Sequence, residues 1–417
     1  MVPKLRFREF DDCWVQCNIQ DLVNDSVIDK PMDGNHGELH PVSVDYVDNG
    51  IPFIMASDII DGDIDFIGCK KISLEQANSL RKGFSLTGDI LLTHKATIGN
   101  VAIVPELTSP FIMLTPQVTY YRVKNNSKLL NRYMRFFFET PIFIKELTEL
   151  CSGATRPYIG ISEQRKLPFR YCSIEEQTKI VDFLSSVDEK ITLLTKQYNL
   201  LCQYKKGMMQ KIFSQEVRFK DEYGEEFPEW EESLLSERIK VQGGFAFKSQ
   251  LFSEMASTKV LRIGDISEEI DLSAFSGVFS TETPAIRYQV NKGDFVMALS
   301  GATFGKMGLI KCGNAFLNQR VATFRLLDNT TDTLSFYYYY MSTMEFINYI
   351  KSIPTASAQP NISNKDIELY SSYIPTQKEQ TKIANFLSAI DEKIIANKTE
   401  LDKLKSWKQG LLQQMFI

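Results

Sequence analysis

The stretch EEQTKIVDFLSSVDEKI, which begins at Glu175, returns as KEQTKIANFLSAIDEKI beginning at Lys378. Twelve of the seventeen positions are identical across a separation of 203 residues. Each copy starts a segment with apolar residues at alternating spacings of four and three, the heptad pattern of helices that pair lengthwise. The duplication predicts two helices of about 37 residues, each about 55 Å long. Because each helix has one apolar stripe, we expect the two to pair with each other.

The residues expected to pair the helices lie on one heptad seam in each copy. They are Ile180, Leu184, Val187, Ile191 and Leu194 in the first copy, and Ile383, Leu387, Ile390, Ile394 and Asn397 in the second. A polar Asn397 at a seam position costs stability but fixes the register of the pair. Lys205 and Lys408 interrupt both seams at the equivalent place, and Asp188 and Asp391 are interpreted as exposed charge on the helix faces.

The duplication extends beyond the helices. LRFREFDDCW at residues 5–14 is matched by VRFKDEYGEEFPEW at 217–230, GDILLTHKATIGNVAIV at 88–104 by GDFVMALSGATFGKMGLI at 293–310, and LTPQVTYYRV at 114–123 by LNQRVATFRL at 317–326. Short alternating apolar runs between Gly and Pro predict strands and turns. Segments 129–150 and 334–350 have helical spacing, and their aromatic runs are interpreted as core.

These patterns predict an α+β fold with two tandem mixed α/β domains, each followed by a long helix. The two helices would pair as an antiparallel coiled coil, with an internal pseudo-two-fold between the copies. The predicted boundaries are 1–170 for the first domain, 171–214 for the first helix, 215–229 for a linker, 230–374 for the second domain and 375–417 for the second helix.

Bulk composition is typical of a water-soluble protein. The chain has 417 residues, 43% of them hydrophobic and 24% charged, with a net charge of −5. This length suits two or three domains. Seven cysteines without a CxxC pair, and the absence of an apolar run long enough to cross a bilayer, favour a reduced, cytoplasmic protein that is not bound to a membrane.

Charge is segregated within each copy. Residues 1–85 carry 8 basic and 15 acidic residues, whereas residues 86–170 carry 11 basic and 6 acidic ones. Residues 215–285 carry 7 basic and 15 acidic residues, and residues 286–325 carry 6 and 1. Each copy is therefore acidic first and basic second, which gives its second part the sign that a polyanion needs.

Motifs for catalysis are missing from the sequence. SGATFGKMG at residues 300–308 has three residues between Gly301 and Gly305, where a phosphate loop needs four, and a Met after its lysine. His36 and His40 lack further ligands at a metal-site spacing. His94 lies far from any nucleophile signature. We therefore expect a chain that is not an enzyme and holds no cofactor or metal.

The duplicated frame resembles the DNA-specificity subunit of type I restriction-modification enzymes. The resemblance rests on the EQTKI…FL…DEKI helices, the LRF…W and VRF…W openings, the GDIL and GDFV turns and the AQPNIS loop at residues 358–363, together and in order. It implies two target-recognition domains that each read half of a split double-stranded DNA sequence, with the long helices as spacer. It also implies two methyltransferase subunits that bind S-adenosylmethionine, and two motor-nuclease subunits.

Candidate DNA-contacting residues are the polar and basic side chains of the duplicated loops. They are Lys95, Thr97, Asn100, Arg156 and Tyr158 in the first copy, and Thr303, Lys306, Gln319, Arg320, Gln359 and Asn361 in the second. Arg favours guanine, and Asn or Gln favours adenine. Residues common to both copies, such as Thr97 and Thr303, cannot explain different preferences of the two halves, and the ATIG and ATFG turns have a competing structural interpretation.

Two other functions remain open at this point. A non-catalytic scaffold could use the two domains to bind protein, and it would direct no sequence-specific methylation. An enzyme with an unrecognised site, such as a single-chain nuclease, would cleave DNA by itself in the presence of metal.

Overall fold

The computed structural model describes residues 3–36, 40–150, 158–353 and 361–416. The chain divides into two compact units: unit 1 contains Met1–Lys196 and Lys398–Ile417, and unit 2 contains Gln197–Asn397. Each unit therefore holds one globular domain and a part of both long helices. In the described part of the chain no helix is long and apolar enough to span a membrane.

The elements of the first copy run in chain order from a short strand to a long helix. They are β1 (Val15–Asn18), α1 (Ile19–Asn24), β2 (Met32–Asp33), β3 (Tyr46–Ile54), β4 (Ile59–Ile60), β5 (Asp63–Ile64), β6 (Lys70–Ile72), α2 (Leu74–Ser79), β7 (Phe84–Ser85), β8 (Ile90–Lys95), β9 (Thr97–Ile103), β10 (Ile112–Leu114), β11 (Val118–Tyr121), α3 (Asn131–Phe138), α4 (Pro141–Glu149), α5 (Ile161–Gln164), β12 (Pro168–Tyr171) and α6 (Ile174–Phe213).

The second copy follows with the same kinds of element. They are β13 (Glu231–Leu234), β14 (Ile239–Gly243), β15 (Thr258–Leu261), β16 (Glu269–Asp271), β17 (Val278–Ser280), β18 (Gln289–Asn291), β19 (Phe295–Ala298), β20 (Met307–Cys312), β21 (Asn314–Leu317), β22 (Val321–Leu326), α7 (Leu334–Met341), α8 (Met344–Ser352), α9 (Asn364–Glu368), β23 (Ser371–Ile374) and α10 (Gln377–Met415).

Three sheets have equivalent strand orders in the two domains, and unit 1 has in addition the two-stranded sheet β4-β5. Unit 1 has sheets in the orders β6-β3-β10-β7, β2-β11-β8-β9 and β1-β12, and unit 2 has β17-β15-β21-β18, β14-β22-β19-β20-β16 and β13-β23. In each first sheet one pair is parallel, β3 with β10 and β15 with β21. The equivalent connectivity confirms the predicted tandem duplication and the α+β class. Strand β16, which adds a fifth member beside β20, is a feature of unit 2.

Each predicted helical segment after the sheets is two short helices. The first breaks between α3 and α4, where Thr140 caps the new helix and Pro141 occupies its first turn. Proline cannot donate the backbone bond that a continuous helix needs, but it suits a first turn. The second breaks between α7 and α8 at Thr343, whose side chain accepts from the Phe346 amide. The aromatic runs on α3 and α7 are core, as predicted: Phe136, Phe138, Phe336 and Tyr337 are fully buried.

The glutamate and glutamine side chains of the repeated EEQ and KEQ motifs anchor each long helix to its own domain. Glu176 accepts two hydrogen bonds from Arg6, from Nε and Nη2, each 2.8 Å long. Gln177 accepts from the Leu130 amide at 3.0 Å and donates to two backbone carbonyls. In unit 2, Glu379 binds Arg218 and Gln380 accepts from the Thr333 amide at 2.8 Å. These four motif side chains are buried, so they fix the domain on its helix.

The long helices pack side by side within each unit. In unit 1, Asp188 contacts Lys408 and Lys190 contacts Glu400, so residue numbers rise along α6 as they fall along α10. In unit 2, Lys205 contacts Asp391. The pairing confirms the predicted antiparallel helices, which are 40 and 39 residues long. Our interpretation of Asp188 and Asp391 as exposed charge was wrong, because each is bonded to a lysine of the partner helix and is about four-fifths buried.

The seam residues chosen from the sequence lie inside these packed regions. Eight of the ten are buried, and Ile191 and Ile394 are half-buried. Ile180, Leu184 and Val187 share a core cluster with Leu411, Leu412 and Met415 of α10. Ile383, Leu387 and Ile390 share another with Ile212 and Phe213 of α6. Asn397 is buried, and within the described chain its Oδ1 has no hydrogen-bond partner.

Candidate nucleic-acid interface

In unit 1, three chain segments meet at the C-terminal end of strand β8. The His94 amide donates to the Gln117 carbonyl at 3.0 Å, and the Ile159 amide donates to the His94 carbonyl at 3.1 Å. Lys95 and Tyr158 form an isolated antiparallel bridge. The Lys95 side chain is exposed, and its Nζ lies 5.9 Å from the centroid of the Tyr158 ring. We call Lys95, Gln117 and Tyr158 the junction of unit 1.

Unit 2 repeats this arrangement bond for bond. The Leu299 amide donates to the Arg320 carbonyl at 2.9 Å, and the Ile362 amide donates to the Leu299 carbonyl at 3.1 Å. Ser300 and Asn361 form the equivalent antiparallel bridge. Arg320 and Asn361 are exposed, and Arg320 Nη1 donates to Asn361 Oδ1 at 3.0 Å. Ser300, Arg320 and Asn361 form the junction of unit 2.

Four of the residues predicted from the sequence thus lie in the two junctions: Lys95, Tyr158, Arg320 and Asn361. Gln117 and Ser300 were missed, although Gln117 aligns with Arg320 in the repeat and Ser300 with Lys95. The pairing of LTPQV with LNQRV was visible in the sequence. What it did not reveal was that a third segment, 41 residues further on in each copy, bridges to the same strand end.

Other predicted residues lie on the neighbouring β8–β9 and β19–β20 hairpins. Thr97 and Lys306 are exposed, and Gln319 is exposed beside Arg320. The Asn100 side chain donates to the Ile59 carbonyl at 2.7 Å, and Thr303 Oγ1 donates to the Ile263 carbonyl at 3.3 Å. These two bonds tie the hairpins to their own domains. The predicted residues Arg156 and Gln359 lie outside the described ranges.

The glycines that the two hairpins share have a structural role. Gly99 has φ +91° and Gly305 has φ +76°, in the left-handed region that favours glycine. A Cβ at Gly99 would lie 3.0 Å from Ile144 Cδ1 of α4, and one at Gly305 would lie 2.8 Å from Ile350 Cδ1 of α8. The shared glycine of ATIG and ATFG is therefore explained by packing of the hairpin on a helix. This leaves the residues that differ between the copies as candidates for sequence reading.

His94 lies behind the junction of unit 1. Its ring is completely buried, and neither ring nitrogen has a hydrogen-bond partner among the described residues. Burial lowers the pKa of His94 to about 4, with Asp33 and the Ile159 backbone opposing that change and His36 and Lys95 adding to it. The ring centroid lies 5.5 Å from that of Tyr158. His94 is thus a neutral side chain that supports the exposed tyrosine.

Metal ligands are not grouped in the described part of the chain, which contains no cluster of three or more His, Cys, Asp or Glu side chains suited to a metal ion. His36 Nε2 contacts Asp33 Oδ2 at 2.8 Å, and Asp33 also pairs with Lys82. Burial raises the pKa of the Asp33 carboxyl, but its side-chain hydrogen bonds with Lys82 and His36 outweigh that effect and lower the pKa below the ordinary value.

The described chain thus contains one kind of domain in two copies, with equivalent backbone bonds at the two junctions and different side chains in each. The family described as type I restriction modification DNA specificity domain matches residues 40–203 and 228–406. These ranges cover most of the chain and both copies. The chain belongs to this family, and it is a DNA sequence-specificity subunit of a type I restriction-modification system.

Individual relatives agree over most of the chain. The MjaIX specificity subunit of Methanocaldococcus jannaschii is 23% identical over 387 residues, which cover 89% of this chain and 87% of the relative. The MjaVIII specificity subunit of the same organism is 28% identical over 312 residues, which cover 70% and 71%. The crystal structure of a type I restriction-modification S subunit from M. genitalium has a TM-score of 0.62 at 16% identity and covers 100% of this chain and 99% of that one.

A second solved structure has the same fold. Its title describes complex assembly and conformational transition of the type I restriction-modification system, and it has a TM-score of 0.57 at 15% identity. It covers 97% of this chain and 98% of that one. At these identities the likeness is one of fold.

Proposed function

We propose that the chain reads a bipartite sequence in double-stranded DNA, one half with each unit, and that it catalyses no reaction itself. The observation that carries the proposal is the pair of junctions. Their backbone bonds are equivalent. Their side chains differ at all three positions: Gln117 and Ser300 are half-buried, and the other four are exposed. One frame with two sets of side chains is what two different half-sites of one target require.

Catalysis belongs to partner subunits in this proposal. Two methyltransferase subunits would bind S-adenosylmethionine and methylate one adenine in each half-site, and two motor-nuclease subunits would join for cleavage. An enzyme that modifies a base must first extrude it from the duplex. It therefore gains selectivity when a separate subunit holds it over a chosen base. The solved structure on complex assembly of such a system, which shares this fold, supports a role in assembly.

The long helices would set the gap between the half-sites. Support comes from their length, 40 and 39 residues, and from the buried side chains that anchor each helix to the domain it follows or precedes. A net charge of −5 limits what this chain alone gains from neutralising phosphates. Partner subunits would therefore supply a large share of the phosphate contacts.

The experiment that tests this function is methylation mapping by single-molecule sequencing. The chain is expressed with the methyltransferase subunit of its own system in a host free of adenine methylation. The chain alone and the methyltransferase alone are the controls. The expected result is a split motif with methyladenine on both strands, found only when both proteins are present. A stable complex without any motif would support the scaffold alternative, and metal-dependent cleavage by the chain alone would support the enzyme alternative.

The duplication itself offers a sharper version of the experiment. Residues 14–169 are replaced by their equivalents, 230–372, so that both domains carry the second recognition surface. The expected motif is symmetric, with the second half-site on both sides of the gap. A motif identical to that of the wild type would show that residues 14–169 do not read a half-site.

A further inference from the structure

Positions 117 and 320 are equivalent in the two junctions. The backbone carbonyl of each residue accepts a hydrogen bond from an amide at the end of a central strand. The donor is His94 in unit 1 and Leu299 in unit 2. Equivalent hydrogen bonds therefore fix the backbone of both residues at equivalent places in the two domains. The side chains differ in chemistry, an amide at Gln117 and a guanidinium at Arg320.

Arg320 is available for a ligand. Its side chain is exposed. Among the described residues, this side chain forms a hydrogen bond from Nη1 to Asn361 Oδ1. No described carboxylate forms an ion pair with it, in contrast to Arg122, Arg218 and Arg325, each of which pairs with an acidic residue of its own domain. An arginine left with free donors on an exposed edge suits the O6 and N7 acceptors of guanine, which it binds in bidentate fashion.

Asn361 has a positioning role beside it. Its Oδ1 accepts a hydrogen bond from the Arg320 guanidinium. This bond restricts the arginine side chain, which otherwise loses rotamer freedom on binding. A preorganised guanidinium gives stronger discrimination between bases than a free one.

Gln117 offers the other chemistry at the same place. A glutamine presents one donor and one acceptor that match N6 and N7 of adenine. The neighbouring Lys95 Nζ and Tyr158 ring provide a positive charge and an aromatic face at the same junction. Serine at position 300 and asparagine at position 361 provide neither in unit 2.

We propose that Gln117 and Arg320 are specificity-determining residues, which read an adenine in the half-site of unit 1 and a guanine in the half-site of unit 2. This inference rests on the proposed function and names the residues and bases of the same interaction. The two residues occupy equivalent backbone positions, and each selects one base pair in the half-site of its own unit.

The test exchanges the two side chains in the full chain, co-expressed with its methyltransferase subunit. Arg320→Gln is expected to change one G·C pair of the second half-site to A·T and to leave the first half-site unchanged. Gln117→Arg is expected to do the converse. Asn361→Ala should keep the guanine but relax its selection. Lys292→Gln, an exposed lysine in the turn before β19, is the matched control and should keep the wild-type motif.

Binding measurements make the test independent of methylation. The wild-type complex and the Arg320→Gln complex are titrated with the mapped target and with duplexes that carry one changed base pair each. Arg320→Gln is expected to weaken binding roughly ten- to a hundredfold on the mapped target, and to prefer A·T over G·C at one base pair alone. A uniform loss over all duplexes, or an unchanged motif with methylation retained, would overturn the inference. Absence of any motif with the wild-type chain would instead refute the proposed function.

Discussion

Lys408 Nζ lies 2.7 Å from Asp188 Oδ1, and the same pair recurs with the helices exchanged, Lys205 Nζ lying 2.5 Å from Asp391 Oδ1. Each long helix thus gives its aspartate to one pair and its lysine to the other. The lysines are the residues that interrupt the two apolar seams. Their polarity is matched by a carboxylate of the opposite helix, which explains why a charge is tolerated at a seam position.

These lysine–aspartate pairs predict a measurable coupling. Lys205→Met removes the cation from beside Asp391 and should lower the free energy of unfolding of unit 2 by about 1 to 2 kcal/mol, because both side chains are about three-quarters buried. Asp391→Asn preserves an acceptor for the Tyr339 hydroxyl, which donates to Asp391 at 2.8 Å. The double variant should lose less than the two single variants together. Denaturant unfolding followed by circular dichroism measures all four proteins, and additive losses would contradict a direct interaction.

The two tryptophans that open the repeats differ in one hydrogen bond. Trp230 Nε1 donates to Glu379 Oε2 at 3.1 Å, whereas Trp14 Nε1 is buried without a partner among the described residues. Trp230→Phe removes a bond to a buried carboxylate, and Trp14→Phe removes an unsatisfied donor. We expect Trp230→Phe to cost about 1 kcal/mol more in unfolding free energy than Trp14→Phe.

The tryptophan pair is its own control, because both rings pack on aromatic residues of the equivalent helix, Tyr133 in unit 1 and Phe336 in unit 2. Trp14 also contacts the Phe416 ring, with the ring centroids 6.1 Å apart. Phenylalanine keeps an aromatic ring at both positions, so the main difference between the two variants is the lost hydrogen bond. Equal destabilisation, or a greater loss with Trp14→Phe, would be incompatible with a stabilising bond from Trp230 to Glu379.

Local sequence patterns predicted the long helices but not the contacts of their charged and polar side chains. Heptad spacing is read within one helix, so the antiparallel pair and its buried seam could be expected from α6 and α10 alone. The partners of the EQ letters could not. Glu176 binds Arg6, 170 residues away, and Gln177 accepts from the amide of Leu130, 47 residues away. Asp188 was misjudged for the same reason, since its cations come from α3 and α10.

The candidate interface also shows what sequence patterns alone could not predict. The sequence indicated the duplicated loops, which brought Lys95, Tyr158, Arg320 and Asn361 into consideration. It also brought in Asn100 and Thr303, whose side chains are used within their own domains. Separating the two kinds of residue required knowing which segments converge on one strand end. That is a property of sheet topology, and it cannot be deduced from the spacing of polar residues.

His94 predicts a pH dependence for the stability of unit 1. Its pKa falls from the ordinary 6.5 to about 4 in the folded chain because the ring is buried. The unfolded chain therefore binds more protons between about pH 4 and pH 6.5, and the free energy of unfolding rises with pH across that window. The stability is complete above pH 6.5 and is lost as the pH falls towards 4.

His94→Leu isolates this contribution, and leucine is the residue that unit 2 has at the equivalent position 299. At pH 8 the variant should be more stable by about 1 kcal/mol, because a buried unpartnered imidazole is removed. At pH 5 its advantage should grow by about a further 2 kcal/mol. Thermal unfolding at several pH values compares the two proteins. Parallel profiles would show that His94 is protonated equally well in the folded chain.

The spacer role of the helices predicts the effect of lengthening both. Seven residues, one heptad, are inserted after Lys196 in α6 and after Asn397 in α10, so that the seam pattern continues on either side. The insertion adds about 10 Å of helix. Since B-DNA rises about 3.4 Å per base pair, the gap should lengthen by at most about three base pairs. Both half-sites should stay the same, because no residue of either domain is changed. Methylation mapping reads the gap and the half-sites together.

As a control, four residues are inserted into α6 alone. This insertion rotates the seam and shifts the pairing of Lys205 with Asp391, and it should lower stability. A wild-type gap in a stable protein with both heptads inserted would disprove that the helices set the spacing.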